Sequence, residues 1–187
     1  MMALVESAQV PLGTPAPDFS LLDPLTGKRL SLGQLRGQSG TLVIFMCNHC
    51  PYVLHVLEGM LKMTQELRHL GVSSLGICSN DAQSYPADGP GKMAELARKW
   101  CFPFPYLHDE TQQVARSYGA TCTPDFFLYD SGLLLAYRGQ MDAARPGNGK
   151  AVTGEDLLSA ANCLLAGRPV SGVQRPSIGC SIKWREH

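Results

Sequence analysis

Residues 41–55 read TLVIFMCNHCPYVLH, and this stretch decides how the rest of the chain is read. Leu42 to Met46 is an unbroken apolar run, long enough for a buried strand and too short for a buried helix. Cys47-Asn48-His49-Cys50 follows directly, and then Pro51. Beyond it Val56, Met60, Met63, Leu67 and Leu70 recur at spacings of three and four, which predicts a helix with one apolar face. Pro51 fits the first turn of that helix, where a missing N–H leaves no carbonyl without its partner. The pattern therefore predicts a Cys-x-x-Cys pair at a strand-to-helix junction, with Cys47 exposed at the positive end of the helix. Unpaired N–H groups and the helix dipole favour a thiolate there, and a protonated His49 would act in the same direction. The spacing lets two sulfurs close a disulfide within one turn. The expected chemistry is thiol–disulfide exchange, with Cys47 attacking and Cys50 resolving.

Cys-x-x-Cys is also half of a zinc site, which would need a second Cys or His pair at similar spacing. Cys78, Cys101, Cys122, Cys163 and Cys180 are instead scattered singly, and the nearest imidazoles are His49 and His55. The redox reading is favoured, and it calls for no metal and no other cofactor. Two competing classes remain: a metal carrier built on Cys47 and Cys50 with His49, His55 or His108, and a binding module without catalysis.

The chain has 187 residues, 16 Lys and Arg against 16 Asp and Glu, and 44% hydrophobic residues, the profile of one ordinary globular domain. Balanced charge gives no reason to expect nucleic acid or an anionic membrane surface as partner. No apolar run is long enough to span a bilayer. Residues 1–14 lack the basic and apolar regions of a signal peptide and are read as a leader, mobile or unremarkable. Seven cysteines, an odd number, do not resemble a secreted disulfide framework, so a reducing cytoplasm is the expected setting.

Outward from the junction, Phe19 to Leu22 and Lys28 to Leu30 flank a turn, Asp23-Pro24-Leu25-Thr26-Gly27. They predict a β-hairpin extension forming a small sheet ahead of the main one. Ser31 and Gln34 have capping-box spacing. Val72 to Cys78 reads as a strand, and Ser79 to Gly91 as a Pro/Gly-rich loop. Helices are expected around Met93 to Trp100, Gln112 to Tyr118 and from Thr153 to Leu165. Phe102 to Leu107 is extended, but Pro103 and Pro105 argue against a central strand. Phe126 to Tyr129 and Leu133 to Arg138 form a hairpin. Residues 15–167 are then one domain and 168–187 a polar, mobile tail.

Several segments together resemble the thioredoxin superfamily, in the redoxin branch that holds AhpC/TSA and peroxiredoxin-like proteins. They are APDFSLLD (16–23) with LSLGQLRG (30–37), FMCNHCPYV (45–53), ATCTPDFFLYD (120–130) and LAYRGQMD (135–142). GCSIKW (179–184) resembles the tail of a peroxiredoxin-like subgroup that shares the CNHCPYV junction. The resemblance implies an α/β thioredoxin-like fold, a central mixed β-sheet flanked by helices. It implies a cis peptide before Pro124, with Pro124 and the Thr123 backbone holding a protein or small-molecule thiol or disulfide substrate, and a separate reductant to restore the pair. Cys122, two residues before Pro124, and Cys180, reaching over from a mobile tail, are the candidate auxiliary thiols. The chain departs from thioredoxin in having Met46 before the first cysteine, Asn48-His49 between the two, and no acid from Leu42 to Met46. It departs from peroxiredoxins in lacking the threonine three residues before the reactive cysteine: Ile44 precedes Cys47 at that spacing, and Cys47 precedes Cys50. A peroxiredoxin-like antioxidant protein without the usual motif is the remaining alternative.

Overall fold

The computed structural model describes residues 4–170 and 174–185. Its elements run β1 (Leu4–Glu6), β2 (Ser20–Asp23), β3 (Lys28–Ser31), α1 (Leu32–Leu35), β4 (Gly40–Phe45), α2 (Pro51–His69) and β5 (Val72–Cys78). There follow α3 (Pro90–Lys99), β6 (Tyr106–His108), α4 (Gln113–Tyr118), β7 (Cys122–Thr123), β8 (Asp125–Asp130), β9 (Leu135–Gly139), α5 (Glu155–Leu165) and β10 (Ile178–Ser181). No helix among the described residues is long and apolar enough to cross a membrane.

β4 is buried along its whole length because it lies inside the main sheet, whose order is β3-β2-β6-β5-β4-β8-β9. It pairs parallel with β5 and antiparallel with β8, so the sheet is mixed. Successive side chains of β4 point to opposite faces, as strand geometry requires. Leu42, Ile44 and Met46 join one buried cluster with Val53, Leu57 and Met60 of α2, Met93 of α3 and Leu157 of α5. Val43 and Phe45 join another with Leu32 of α1 and Val114, Ala115 and Tyr118 of α4. A continuous apolar run, rather than an alternating one, is what a strand covered on both faces needs. The fold is the thioredoxin-like α/β sandwich expected from the sequence. The capping box also forms: Gln34 N donates to Ser31 Oγ, and Ser31 N to Gln34 Oε1.

Three expectations are corrected. The β2–β3 hairpin is not a separate sheet, because Leu22 pairs with His108 and joins it to the main one. β6 is an interior strand between β2 and β5: Pro103 and Pro105 precede it, and the paired residues Tyr106 to His108 contain no proline. Neither the leader nor the tail is loose over its described part. Leu4–Glu6 pairs with Ile178–Cys180, and Cys180 and Ser181 pair with Thr123 and Cys122, forming a second sheet in the order β1-β10-β7.

The sheet also buries an ion pair. Arg138 Nη2 donates to Asp125 Oδ2 at 2.9 Å, with the guanidinium 4.4 Å over the Phe127 ring. Burial outweighs the guanidinium and pushes the Asp125 carboxyl up to about 7. The folded chain therefore keeps a proton between about pH 4 and pH 7 that the unfolded chain has released, and stability should fall as pH rises through that window. Urea unfolding of the wild type should show this decline, worth at most about 4 kcal/mol, and Asp125→Asn should flatten it. A second prediction concerns β10. A Cβ at Gly179 would overlap the Thr123 carbonyl backbone, so Gly179→Ala should detach β10 from β7 and cost on the order of 2 kcal/mol. Amide exchange at Ile182, whose N–H donates to Thr121 O at 3.0 Å, would report the detachment.

Candidate active site

The junction is built by the end of β4. Met46 N still donates to Ile77 O at 2.9 Å, after which the chain leaves the sheet and α2 begins at Pro51. The N-cap of α2 is Cys50, not Cys47. Pro51 cannot enter a helix interior, so it fixes the start one residue after the second cysteine and leaves Cys47 three residues outside. Both sulfurs are sealed, Cys47 at 1% exposure and Cys50 at 0%. This corrects the expectation of an exposed Cys47 at the helix terminus.

Thr123 lies against both sulfurs. Its Oγ1 is 3.5 Å from Cys47 Sγ, and its carbonyl accepts the Cys50 thiol at 3.1 Å. The Thr123–Pro124 peptide is cis, as the resemblance implied. Of the two auxiliary candidates, Cys180 is brought in and Cys122 is not. Cys180 shares the buried cluster of Cys47 and Cys50. Cys122 directs its thiol at the carbonyls of Pro124 and Ser177, 4.0 Å from each.

Asn48 and His49 are tied down by a residue that the sequence reading did not single out. Asp88 is fully buried in the loop before α3. Its Oδ1 accepts Asn48 N at 2.8 Å, and its Oδ2 accepts Asn80 Nδ2 at 2.7 Å and stands 2.7 Å from His49 Nδ1. Asn48 Nδ2 donates to Ala87 O, and Tyr106 Oη donates to Asn48 Oδ1 at 3.0 Å. The Tyr85 ring lies parallel to that of His49, with 5.8 Å between centroids. His49 thus lies beside both the Asp88 carboxylate and Cys47. No signal in the local sequence links Asp88 or Tyr106 to a motif so far earlier in the chain. His55, the other nearby imidazole, is exposed on α2, and His108 is buried in β6 beside Leu22.

These surroundings divide the two thiols. Cys50 is lowered to about 5, first by the hydrogen bond from Cys47, then by those from Cys180 and Thr123, with the Val53 N–H in the first turn of α2 adding to them. Several donors outweigh the one carbonyl that holds the Cys50 proton in the neutral pair. Cys47 is raised because it keeps its proton as the donor to Cys50, because it is buried, and because Asp88 opposes a second negative charge. Burial pushes Cys78 and Cys180 up to about 12 and raises Cys122 as well. The two thiols share one proton, and the donors around Cys50 favour the negative charge there over Cys47.

The model of the AhpC/TSA family matches residues 12–138. The chain belongs to the AhpC/TSA family. No curated protein matches the sequence. This AhpC/TSA protein is similar over 100% of its length to an uncharacterized conserved protein from Geobacillus kaustophilus, at 46% identity, 99% coverage of that chain and a TM-score of 0.98. A hypothetical protein from Sinorhizobium meliloti 1021 is 43% identical over 97% of this chain and 99% of its own, with a TM-score of 0.94. A peroxidoxin from Mycobacterium tuberculosis, 19% identical over 86% of this chain and 99% of its own, shares the fold at a TM-score of 0.64.

Thiolate absorbance near 240 nm should rise by one thiolate per chain with a midpoint at about 5. Cys50→Ser should remove that step. Cys47→Ala, which deletes the strongest donor, should move the midpoint up toward that of an ordinary thiol, near 8.5. A low step that survives in Cys50→Ser would return the thiolate to Cys47.

Proposed function

We propose that this protein is a thiol–disulfide oxidoreductase whose working couple is Cys47 and Cys50, acting in a reducing cytoplasm. The observation that carries the reading is the pair of buried thiols packed on Thr123, where the hydrogen bonds converging on Cys50 favour its thiolate. The CNHCPYV junction and GCSIKW tail further suggest a distinct subgroup within the family.

The donors around Cys50 support Cys50 as the attacking thiol in this reading, the opposite of the order expected from the sequence. The Cys50 thiolate attacks one sulfur of a disulfide substrate, and that sulfur's partner leaves as a thiolate and takes up a proton. Cys47 then gives up its proton and attacks Cys50, releasing the second substrate thiol and closing the Cys47–Cys50 bond. The substrate disulfide gains two electrons and the cysteine pair loses them. A thiol reductant reverses the sequence. Both sulfurs are buried, so part of their cover must move before a substrate disulfide reaches Cys50.

A second reading has one observation behind it. Ligand atoms of Cys47, His49 and Asp88 lie within 4.8 Å of one another, a thiolate–imidazole–carboxylate set of the kind that holds zinc or copper. Under the oxidoreductase reading, reduced protein titrated with zinc should show no stoichiometric site. A one-to-one complex lost in both Asp88→Asn and His49→Gln would favour the metal reading.

Single-cysteine variants test the proposal. Cys50→Ser should lower turnover of a disulfide substrate by at least about 100-fold, because a hydroxyl is not ionised near neutral pH. Cys47→Ser in a Cys180→Ser background should attack and then stall, accumulating a mixed disulfide on Cys50 in non-reducing electrophoresis with peptide mapping. Adducts on Cys47 in the Cys50→Ser chain would restore the order expected from the sequence. Full activity in both single variants would remove the pair from the active site.

A further inference from the structure

The edge of β7 that carries Thr123 is occupied by β10. Cys180 stands directly across from Thr123 in the antiparallel register, and Ser181 across from Cys122. Residues opposite each other on neighbouring strands project to the same face. Thr123 already touches both Cys47 and Cys50, so the register delivers Cys180 to the same place. Gly179 is what lets β10 come this close, because no side chain fits between it and the Thr123 carbonyl. The result is three thiols in one buried cluster, with Cys50 between two hydrogen-bonding neighbours, Cys47 and Cys180.

We propose that Cys180 is a third redox-active thiol of this site, which attacks Cys50 Sγ and closes a Cys50–Cys180 disulfide. The proposal rests on the Cys47–Cys50 reading and extends it. Starting from the Cys47–Cys50 bond, the Cys180 sulfur attacks Cys50 Sγ, the Cys47–Cys50 bond breaks, and Cys47 leaves as a thiolate that takes the proton given up by Cys180. One disulfide is exchanged for another, so no outside oxidant is needed. From a Cys50–substrate mixed disulfide the same attack breaks the Cys50–substrate bond and releases the substrate thiol; Cys180 gives up one electron and the substrate sulfur gains it, Cys50 having given up its own when the mixed disulfide formed.

The electrostatics change in the direction this step needs. Burial is the main reason that Cys180 holds its proton, and the next two are its hydrogen bond to Cys50 and the charge on Cys50. Both of the latter vanish once Cys50 is in a disulfide, while Lys183 continues to favour the Cys180 thiolate. Cys122, also on β7, lacks this access because its thiol points at two carbonyls. The bond would pin β10 to the start of α2 and return Cys47 to the thiol state.

The test is disulfide mapping in a glutathione redox buffer, quenched with acid and labelled with N-ethylmaleimide. Cys47→Ala, checked for native circular dichroism and repeated as Cys47→Ser, should become lighter by two thiol hydrogens. Proteolysis should link the peptide containing Cys50 to the peptide containing Cys180. Cys47→Ala/Cys180→Ser should instead retain glutathione on Cys50. A stable glutathione adduct on Cys50 in Cys47→Ala, with Cys180 still labelled by maleimide, overturns the proposal. Cys180→Ser measures the underlying couple separately. Failure of that variant to form the Cys47–Cys50 disulfide counts against the oxidoreductase reading, whereas its formation beside an uncrosslinked Cys47→Ala chain rejects only the role of Cys180.

Discussion

Thr123 joins three segments that are far apart in the chain. Its hydroxyl meets Cys47, its carbonyl meets Cys50, and its backbone pairs with Cys180 of β10. β4 and α2 alone would leave a Cys-x-x-Cys pair on the rim of a sheet, open to water. With β7 and β10 in place, the sulfurs lie in a buried cluster where hydrogen bonds and charges act with little screening by solvent. Displacing Thr123 would disturb both thiols and the seat of the tail together.

Asp88 is the second constraint. Burying a carboxylate is costly unless its oxygens are occupied, and here Asn48 N, Asn80 Nδ2 and His49 Nδ1 surround them. These contacts fix the two residues between the cysteines against the loop before α3. The same charge opposes ionisation of Cys47 and Cys78. In this chain the acidic group near the pair adds to the hydrogen bond and the burial that hold the Cys47 proton, which favours negative charge on Cys50, at the helix end.

A pair poised in this way suits exchange in which one thiolate is always ready and the second forms only when needed. It also explains why a Cys-x-x-Cys motif alone says so little about order of attack. The two sulfurs share hydrogen bonds, so the proton distribution belongs to the cluster rather than to either residue. Cys180 enlarges that cluster from outside the motif.

The sequence by itself determined the framework. The apolar run of β4, the periodicity of α2, Pro51 at the helix start and the Ser31–Gln34 capping box each depend on local chemistry, and each is found where it was expected. The family segments likewise located the cis bond before Pro124. Tertiary structure decided how the two thiols are set apart, because donors from β7, α2 and β10 converge on Cys50. It also decided the placement of Asp88, Tyr106 and Cys180. Their positions come from β5 to β6 crossing beside β4 and from β10 pairing with β7, long-range contacts that leave no periodic trace in the residues themselves.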